Sequence, residues 1–187
     1  MALVRFEKIR DLIDLEGPVS SGGEATLDDF PQLAVLLDSV KASIESYIGR
    51  YIEQDSYTES GWIDSNEIPL RALPVKKIKS VTVDVSPIDL DQIRISRAGI
   101  TLPSIVPRGT FNDVFFEVKY QGGFDEIPAD IERAALLQVL YEYNRLPHIG
   151  ATSVSNDGGS VQTPELGLLR EVRNLLDKHK NFGILGV

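Results

Sequence analysis

The residues of this chain that could do chemistry are few and scattered. Its two imidazoles, His148 and His179, each stand alone, with no second histidine three or four positions away to share a metal ion on one helix face. They read as a loop-flanking polar residue and a helix C-terminal residue favoured by the dipole. Carboxylates are more numerous, in the groups Asp11/Asp14, Asp28/Asp29, Asp89/Asp91 and Asp125/Glu126. None follows the Asp-x-Asp-x-Asp-Gly order that surrounds calcium. Zero cysteines remove disulfides, thiolate zinc sites, iron–sulfur clusters and thiol nucleophiles together. Gln121-Gly122-Gly123 and Asn156-Asp157-Gly158-Gly159 have the glycines of a phosphate cradle but no following Gly-Lys-Ser or Gly-Lys-Thr, and so read as turns. There is no Gly-x-Ser-x-Gly elbow for a serine nucleophile. The sequence therefore offers no catalytic constellation, no metal set and no cofactor cradle: no enzyme, cofactor or metal is expected.

Two further features are chemical in a weaker sense. Lys76, Lys77 and Lys79 fall at the start of a predicted strand, where lysines commonly keep an exposed sheet edge from pairing, the alternative being a patch for nucleic acid or a partner. Trp62, the one tryptophan, lies in Ser60-Gly61-Trp62-Ile63-Asp64. It is either a core or sheet-face aromatic, or an anchor at an interface, where tryptophan is enriched.

Charge narrows the partners. The 187 residues carry 19 basic and 28 acidic side chains, a net charge of −9. Nonspecific phosphate binding draws its strength from lysine and arginine releasing counterions, so nucleic acid is not expected as a direct ligand. A 42% apolar and 25% charged composition is ordinary for a globular domain and excludes a generally disordered chain. At this size about 70% of the unfolded surface can be buried, so a core needs no staples. No apolar run approaches the length that spans a bilayer, and residues 1–10 lack a signal-peptide core. No membrane partner is expected, and the protein is expected in the cytoplasm when made.

The elements that must position these residues follow from periodicity. Leu3, Phe6, Ile9, Leu12 and Ile13 predict a short amphipathic helix over Val4 to Leu15, followed by a Ser/Gly connection. From about Asp29, the stripe Leu33, Leu36, Val40, Ile44, Tyr47, Tyr51 predicts a helix of more than five turns, with Asp28 and Asp29 at its N-terminus and Pro31 in its first turn. Between Tyr57 and Tyr120 the text changes to short β-branched and aromatic runs (67–70, 78–85, 92–96, 99–102 and 114–120) punctuated by Pro and Gly, which predicts four to six short antiparallel strands. Pro128 then opens a helix with Asp130 and Glu132 in its first turn; its apolar arc is wide, as in a central helix. Residues 150–162 carry little apolar payload and read as a flexible loop. Thr163 and Pro164 read as N-cap and N1 of a last helix with the stripe Leu168, Val172, Leu175, His179, before an apolar, glycine-interrupted tail over 183–187. The fold class is thus α+β: a single domain over 1–187, a helical bundle of about four helices with an antiparallel β-rich insertion (57–120) between the second and third long helices.

The order of these parts resembles the tailed-bacteriophage head–tail connector, or adaptor, family. The phrases that carry the likeness are Ile44-Glu45-Ser46-Tyr47-Ile48-Gly49-Arg50 at the end of the long helix and Ile68-Pro69-Leu70-Arg71-Ala72-Leu73-Pro74-Val75-Lys76-Lys77-Ile78. Next come Val118-Lys119-Tyr120-Gln121-Gly122-Gly123-Phe124 leading to Ile127-Pro128-Ala129-Asp130-Ile131, and the helix text Leu140-Tyr141-Glu142-Tyr143-Asn144-Arg145. They specify a turn, a strand end and a buried helix face rather than chemistry, and the β insertion is longer than in the compact members.

The resemblance implies a structural virion protein at the head–tail interface, present in host cytoplasm during assembly. It would form a ring beneath the portal of a filled capsid, with the portal's twelvefold symmetry, and present a docking surface to a stopper or tail protein. DNA would pass through its channel without specific binding, the acidic lumen repelling phosphates. On this reading Trp62, Glu142 and Arg145 are the candidate contact residues. The tail residues Phe182, Ile184, Leu185 and Val187 are either a plug for the core or an arm for a partner. Other classes kept beside this one are a stopper or tail-completion protein, an α+β enzyme of unknown type, and a packaging accessory that grips DNA, which the charge disfavours.

Overall fold

The computed structural model describes residues 3, 6–10, 12, 26–103, 114–146, 153–156, 159–162 and 167–181. The fold is α+β, with a strand-rich middle between the second and third long helices and every strand ladder antiparallel. The chain divides into a helical unit (residues 2–47 and 129–178) and a β unit (residues 48–128 with the segment from 179 on).

In the helical unit, α1 spans Phe6–Arg10 and buries Ile9; Leu12, placed on the apolar stripe of the helix predicted over 4–15, lies instead in a turn that donates its N–H to Ile9 O at 3.0 Å, and is 58% exposed. A single 3-10 turn, Leu27–Asp29, precedes α2 (Pro31–Ile48). Asp29 is used in that turn, where its Oδ2 accepts from the Thr26 N–H at 2.9 Å and the Thr26 hydroxyl at 3.1 Å. Pro31 then opens the helix at the position where a missing N–H costs nothing. The stripe Leu33, Leu36, Val40, Ile44 is buried as predicted, but the helix stops at Ile48. Gly49, at φ +66°, takes the left-handed conformation that ends helices at little cost only for glycine. Tyr51 lies beyond it, stacked on Tyr57 with centroids 4.9 Å apart.

Helix α3 (Ala129–Arg145) buries Ile131, Ala134, Ala135, Gln138 and Val139. The last helix differs from its expected start: α4 spans Arg170–Leu176 with Leu169 as its N-cap, after Gly167 at φ +116°. Thr163, Pro164 and Glu165 lie outside the described residues. Val172 and Leu176 are buried, and a 3-10 turn, Asp177–His179, follows. Ion pairs link Lys8 to Glu132 (2.6 Å), Lys178 to Asp130 (2.5 Å) and Arg133 to Glu171 (3.4 Å); exposed pairs of this kind contribute roughly 0–1 kcal/mol each, so burial dominates. Within 150–162, read from sequence as a loop, the described residues form a two-stranded hairpin, β8 (Ser153–Asn156) on β9 (Gly159–Gln162).

The β unit contains β1 (Asp55–Ile63), β2 (Glu67–Pro69), β3 (Val75–Val83), β4 (Ser86–Pro87), β5 (Arg94–Ile95), β6 (Gly99–Thr101) and β7 (Val114–Gly122). One sheet has the order β1-β7-β3-β4 and the other β2-β6-β5. The seven strands exceed the four to six expected, chiefly because β1 is absent from the sequence reading. Phe116, Val118 and Tyr120 of β7 turn inward with Ile63, Val75 and Val81, and Ile68, Leu70, Ile100 and Leu102 complete the core. Each fully buried aliphatic side chain of this kind contributes about 1.5–3 kcal/mol.

Candidate interface residues

Trp62 is neither core nor a covered sheet-face residue: it is 67% exposed. It sits one residue from the end of β1, opposite Phe115 on β7, with ring centroids 5.3 Å apart and planes at 67°. This is the edge-to-face arrangement that aromatic quadrupoles favour. Phe115 is itself 38% exposed. The neighbouring turn joins β3 to β4, and Asp84 pins it by donating its N–H to Phe115 O (2.9 Å) and accepting from the Phe115 N–H (3.1 Å). Val85, at its tip, has φ +70° and is 93% exposed. A β-branched residue in the left-handed region is sterically costly. One end of the four-stranded sheet thus presents Trp62, Phe115 and Val85 to solvent.

Glu142 and Arg145 lie near the C-terminal end of α3 and are half-buried rather than fully outward. Glu142 Oε1 accepts from Gln138 Nε2 at 2.7 Å. Arg145 donates to the Tyr141 hydroxyl at 3.3 Å and lies 5.6 Å from that ring's centroid; its Nε is buried with no hydrogen-bond partner among the described residues. The two candidates share one helix end but make no contact with each other that would form a site. Trp62 belongs to the β unit and they to the helical unit. Phe182, Ile184, Leu185 and Val187 lie outside the described residues, as does His148. His179 packs edge-on against Phe124, centroids 6.3 Å apart.

Sequence reasoning missed the interior polar residues. Gln138 is fully buried, donates to Glu142 and to Gly167 O (3.2 Å), and accepts from the Leu169 N–H (3.0 Å). It therefore ties α3 to the residues that start α4. Its only signal was a polar side chain inside the widest apolar arc of the chain. Tyr120, also fully buried, donates its hydroxyl hydrogen to Glu59 Oε1 and accepts from the Ala72 N–H at 2.8 Å. Burial, then the hydrogen bond and charge of Glu59, hold its hydroxyl protonated far above the ordinary tyrosine value of 10.0. Glu59 also accepts from the Arg71 N–H at 3.0 Å. Arg50 donates to Leu73 O and stacks 4.7 Å from the Phe124 ring centroid; burial pulls its guanidinium below its ordinary pKa. These groups fasten strands and loops.

An open groove of about 710 Å³ in the helical unit is lined by Ser39, Ala42, Ser43, Ser46 and Tyr47 of α2, with Gly167, Leu168 and Arg173. Among the described residues its lining holds no carboxylate or imidazole to move a proton. Among the described residues, no group of three or more His, Asp or Glu could hold a metal ion, and no helix is long and apolar enough to cross a membrane.

Lys76, Lys77 and Lys79 lie on β3, each exposed. β4 and Ile88 bond to β3 at Val81 to Val83, so among the described residues these lysines sit on a stretch of strand without a partner on that side, where their charge discourages further pairing. Lys76 pairs with Asp125.

Comparison with known proteins gives the arrangement a setting. The fold is similar to a chain in a structure described as "Neck of empty GTA particle computed with C6 symmetry", with a TM-score of 0.56 at 16% identity, over 93% of this chain and 87% of that one. No curated protein matches the sequence. The sequence matches the family model described as "Head completion protein" over residues 20–182, which takes in both units and every candidate position up to Phe182. Matched by that model over most of its length, the chain belongs to the head completion protein family.

Proposed function

We propose that this protein is a non-enzymatic structural component of a phage-type particle that docks as a ring under the portal and joins the DNA-filled head to the stopper or tail. The observation that carries the reading is the family match over residues 20–182, and the similarity to a neck chain supports it. The contribution of the chain is binding surface. Trp62, Phe115 and Val85 supply apolar area at one end of a sheet, and such aromatic anchors dominate interface energies.

The ring is proposed at twelve copies, to match a twelvefold portal, with head-to-tail contacts closed by rotation. The C6 symmetry named for the similar neck structure divides twelve as well as six. Each copy adds −9, so the channel wall repels DNA phosphates and the genome passes without adhering. The apolar tail (183–187) and the segment 150–162 are proposed to engage partners on assembly. The test is to mix the protein with purified portal and image the product. Rings coaxial with the portal are expected, and particles lacking this protein that attach tails normally would overturn the reading.

A further inference from the structure

The two edges of the four-stranded sheet are built in opposite ways. On the β3 side, β4 pairs with Thr82 and Val83 and ends at Pro87, and Ile88 beyond it donates its N–H to Val81 O at 2.9 Å. The uncovered remainder carries Lys76, Lys77 and Lys79, all exposed, and its register slips between Val75 and Lys77 and again between Ile78 and Ser80. Short strands, proline, lysines and bulges are the devices that stop an edge from recruiting another strand.

The β1 side has none of them. Its nine residues keep unbroken register with β7, from Asp55 opposite Gly122 to Ile63 opposite Val114. They include no lysine, arginine or proline. Ser56, Thr58, Ser60 and Trp62 are exposed, and the carboxylate of Glu59 is engaged by Tyr120 and the Arg71 N–H. About half of the N–H and C=O groups of such an edge point away from the sheet. Among the described residues, no backbone hydrogen bond joins β1 to a segment on that side.

Elsewhere in the chain is an element with the complementary deficit. The β8–β9 hairpin consists of four residue pairs, Ser153 with Gln162 through Asn156 with Gly159. Its two strands pair with no other strand among the described residues. A lone two-stranded hairpin is marginal in water and is stabilised by joining a larger sheet.

We propose that in the assembled ring the β8–β9 hairpin of one copy adds to the β1 edge of the next copy, extending that copy's four-stranded sheet by two strands. Donor and acceptor are different parts of the chain, so the contact is head-to-tail, the type that rotation closes into a ring. A strand laid along β1 also passes beside Trp62 and gives it a cross-strand neighbour on the side away from Phe115. This assignment rests on the ring reading above.

The absence of native cysteine makes disulfide trapping unambiguous. Single variants Ser56→Cys, Thr58→Cys or Ser60→Cys on β1 are mixed pairwise with Ser153→Cys, Ser155→Cys or Ser160→Cys on the hairpin, assembled on purified portal, and oxidised. At least one pair should give a covalent dimer only when both variants are present, and the double variant of that pair should give a ladder of linked copies. Rings of normal appearance with no mixed dimer in any pair would overturn the proposal and leave the ring reading intact. A β1 variant that dimerises with itself would replace it with symmetric edge pairing. A double variant that links only within its own chain would also overturn it. Failure of the unmodified protein to form rings on the portal would overturn the ring reading, and this proposal with it. Replacing residues 152–163 with a Gly/Ser linker should leave the thermal transition of the monomer in place and abolish ring formation; intact rings would contradict the proposal.

Discussion

Replacing Trp62 with alanine separates interface from core more sharply than any other single change. In the isolated protein the indole is 67% exposed and its one ring contact among the described residues is the edge-to-face pair with Phe115, worth about 0.5–1.5 kcal/mol. The variant should therefore lose about 1 kcal/mol of folding stability and keep its far-ultraviolet spectrum. At an interface the sum is different. Two thirds of a tryptophan surface of about 250 Å² leaves roughly 170 Å² to be covered, which at about 25 cal/mol/Å² gives ~4 kcal/mol. Partial coverage and water retained at the rim reduce this to about 2 kcal/mol or more, a weakening of roughly 30-fold or greater. The assay is titration of the protein onto immobilised portal, with denaturant unfolding of the free protein alongside. Binding within two-fold of the unaltered protein would refute the anchor assignment. A stability loss above about 3 kcal/mol would place Trp62 in the fold instead.

Other consequences are equally direct. Tyr120→Phe removes the donor to Glu59 and the acceptor of the Ala72 N–H, both in a buried setting, and should cost about 2–4 kcal/mol in urea unfolding at neutral pH. Because the folded protein retains the Tyr120 proton above the ordinary value of 10.0 while the unfolded chain releases it, stability should fall as pH rises above 10, by about 1.4 kcal/mol per pH unit. Tyr120→Phe should flatten that loss, and an equally steep loss in the variant would refute the assignment. Gln138→Ala should cost about 1–3 kcal/mol and raise amide exchange across α4 while leaving the β unit unchanged. With a charge of −9, the free protein should bind duplex DNA more weakly than about 10⁻⁴ M at physiological salt in a gel-shift assay; tight binding would contradict the account of the channel.

How much of this was legible in the sequence depended on whether a residue's neighbours advertised its environment. The long helices were legible because Leu33, Leu36, Val40 and Ile44, or Ile131, Ala134, Leu137 and Tyr141, repeat at helical spacing beside a proline start. Strand β7 was legible because Phe116, Val118 and Tyr120 alternate with Phe115, Glu117 and Lys119. Strand β1 was illegible because its inward positions are Tyr57, Glu59, Gly61 and Ile63, of which only one is aliphatic. Gly61 faces inward because a Cβ there would lie 3.2 Å from the Phe116 ring, and Glu59 because Tyr120 and Arg71 supply donors from distant parts of the chain. The start of α4 was misplaced because Thr163-Pro164-Glu165 carries a helix-start signature in text, whereas Gly167 at φ +116° and the bonds from Gln138 fix the actual start. Asn156-Asp157-Gly158-Gly159 reads as a turn, whereas Asn156 and Gly159 are paired residues of β8 and β9, whose texts, Ser-Val-Ser-Asn and Gly-Ser-Val-Gln, are too polar for alternation to reveal. Of the candidate contact residues, Trp62 was found by type alone; its exposure follows from a register that only the folded sheet defines.

The most direct measurement of the central claim is electron cryomicroscopy of this protein mixed with purified portal. The account predicts an added ring, coaxial with the portal and of twelve copies, in which Trp62 is covered by a neighbouring molecule. A monomer that leaves the portal bare, or a ring in which that side chain still faces solvent, would contradict it.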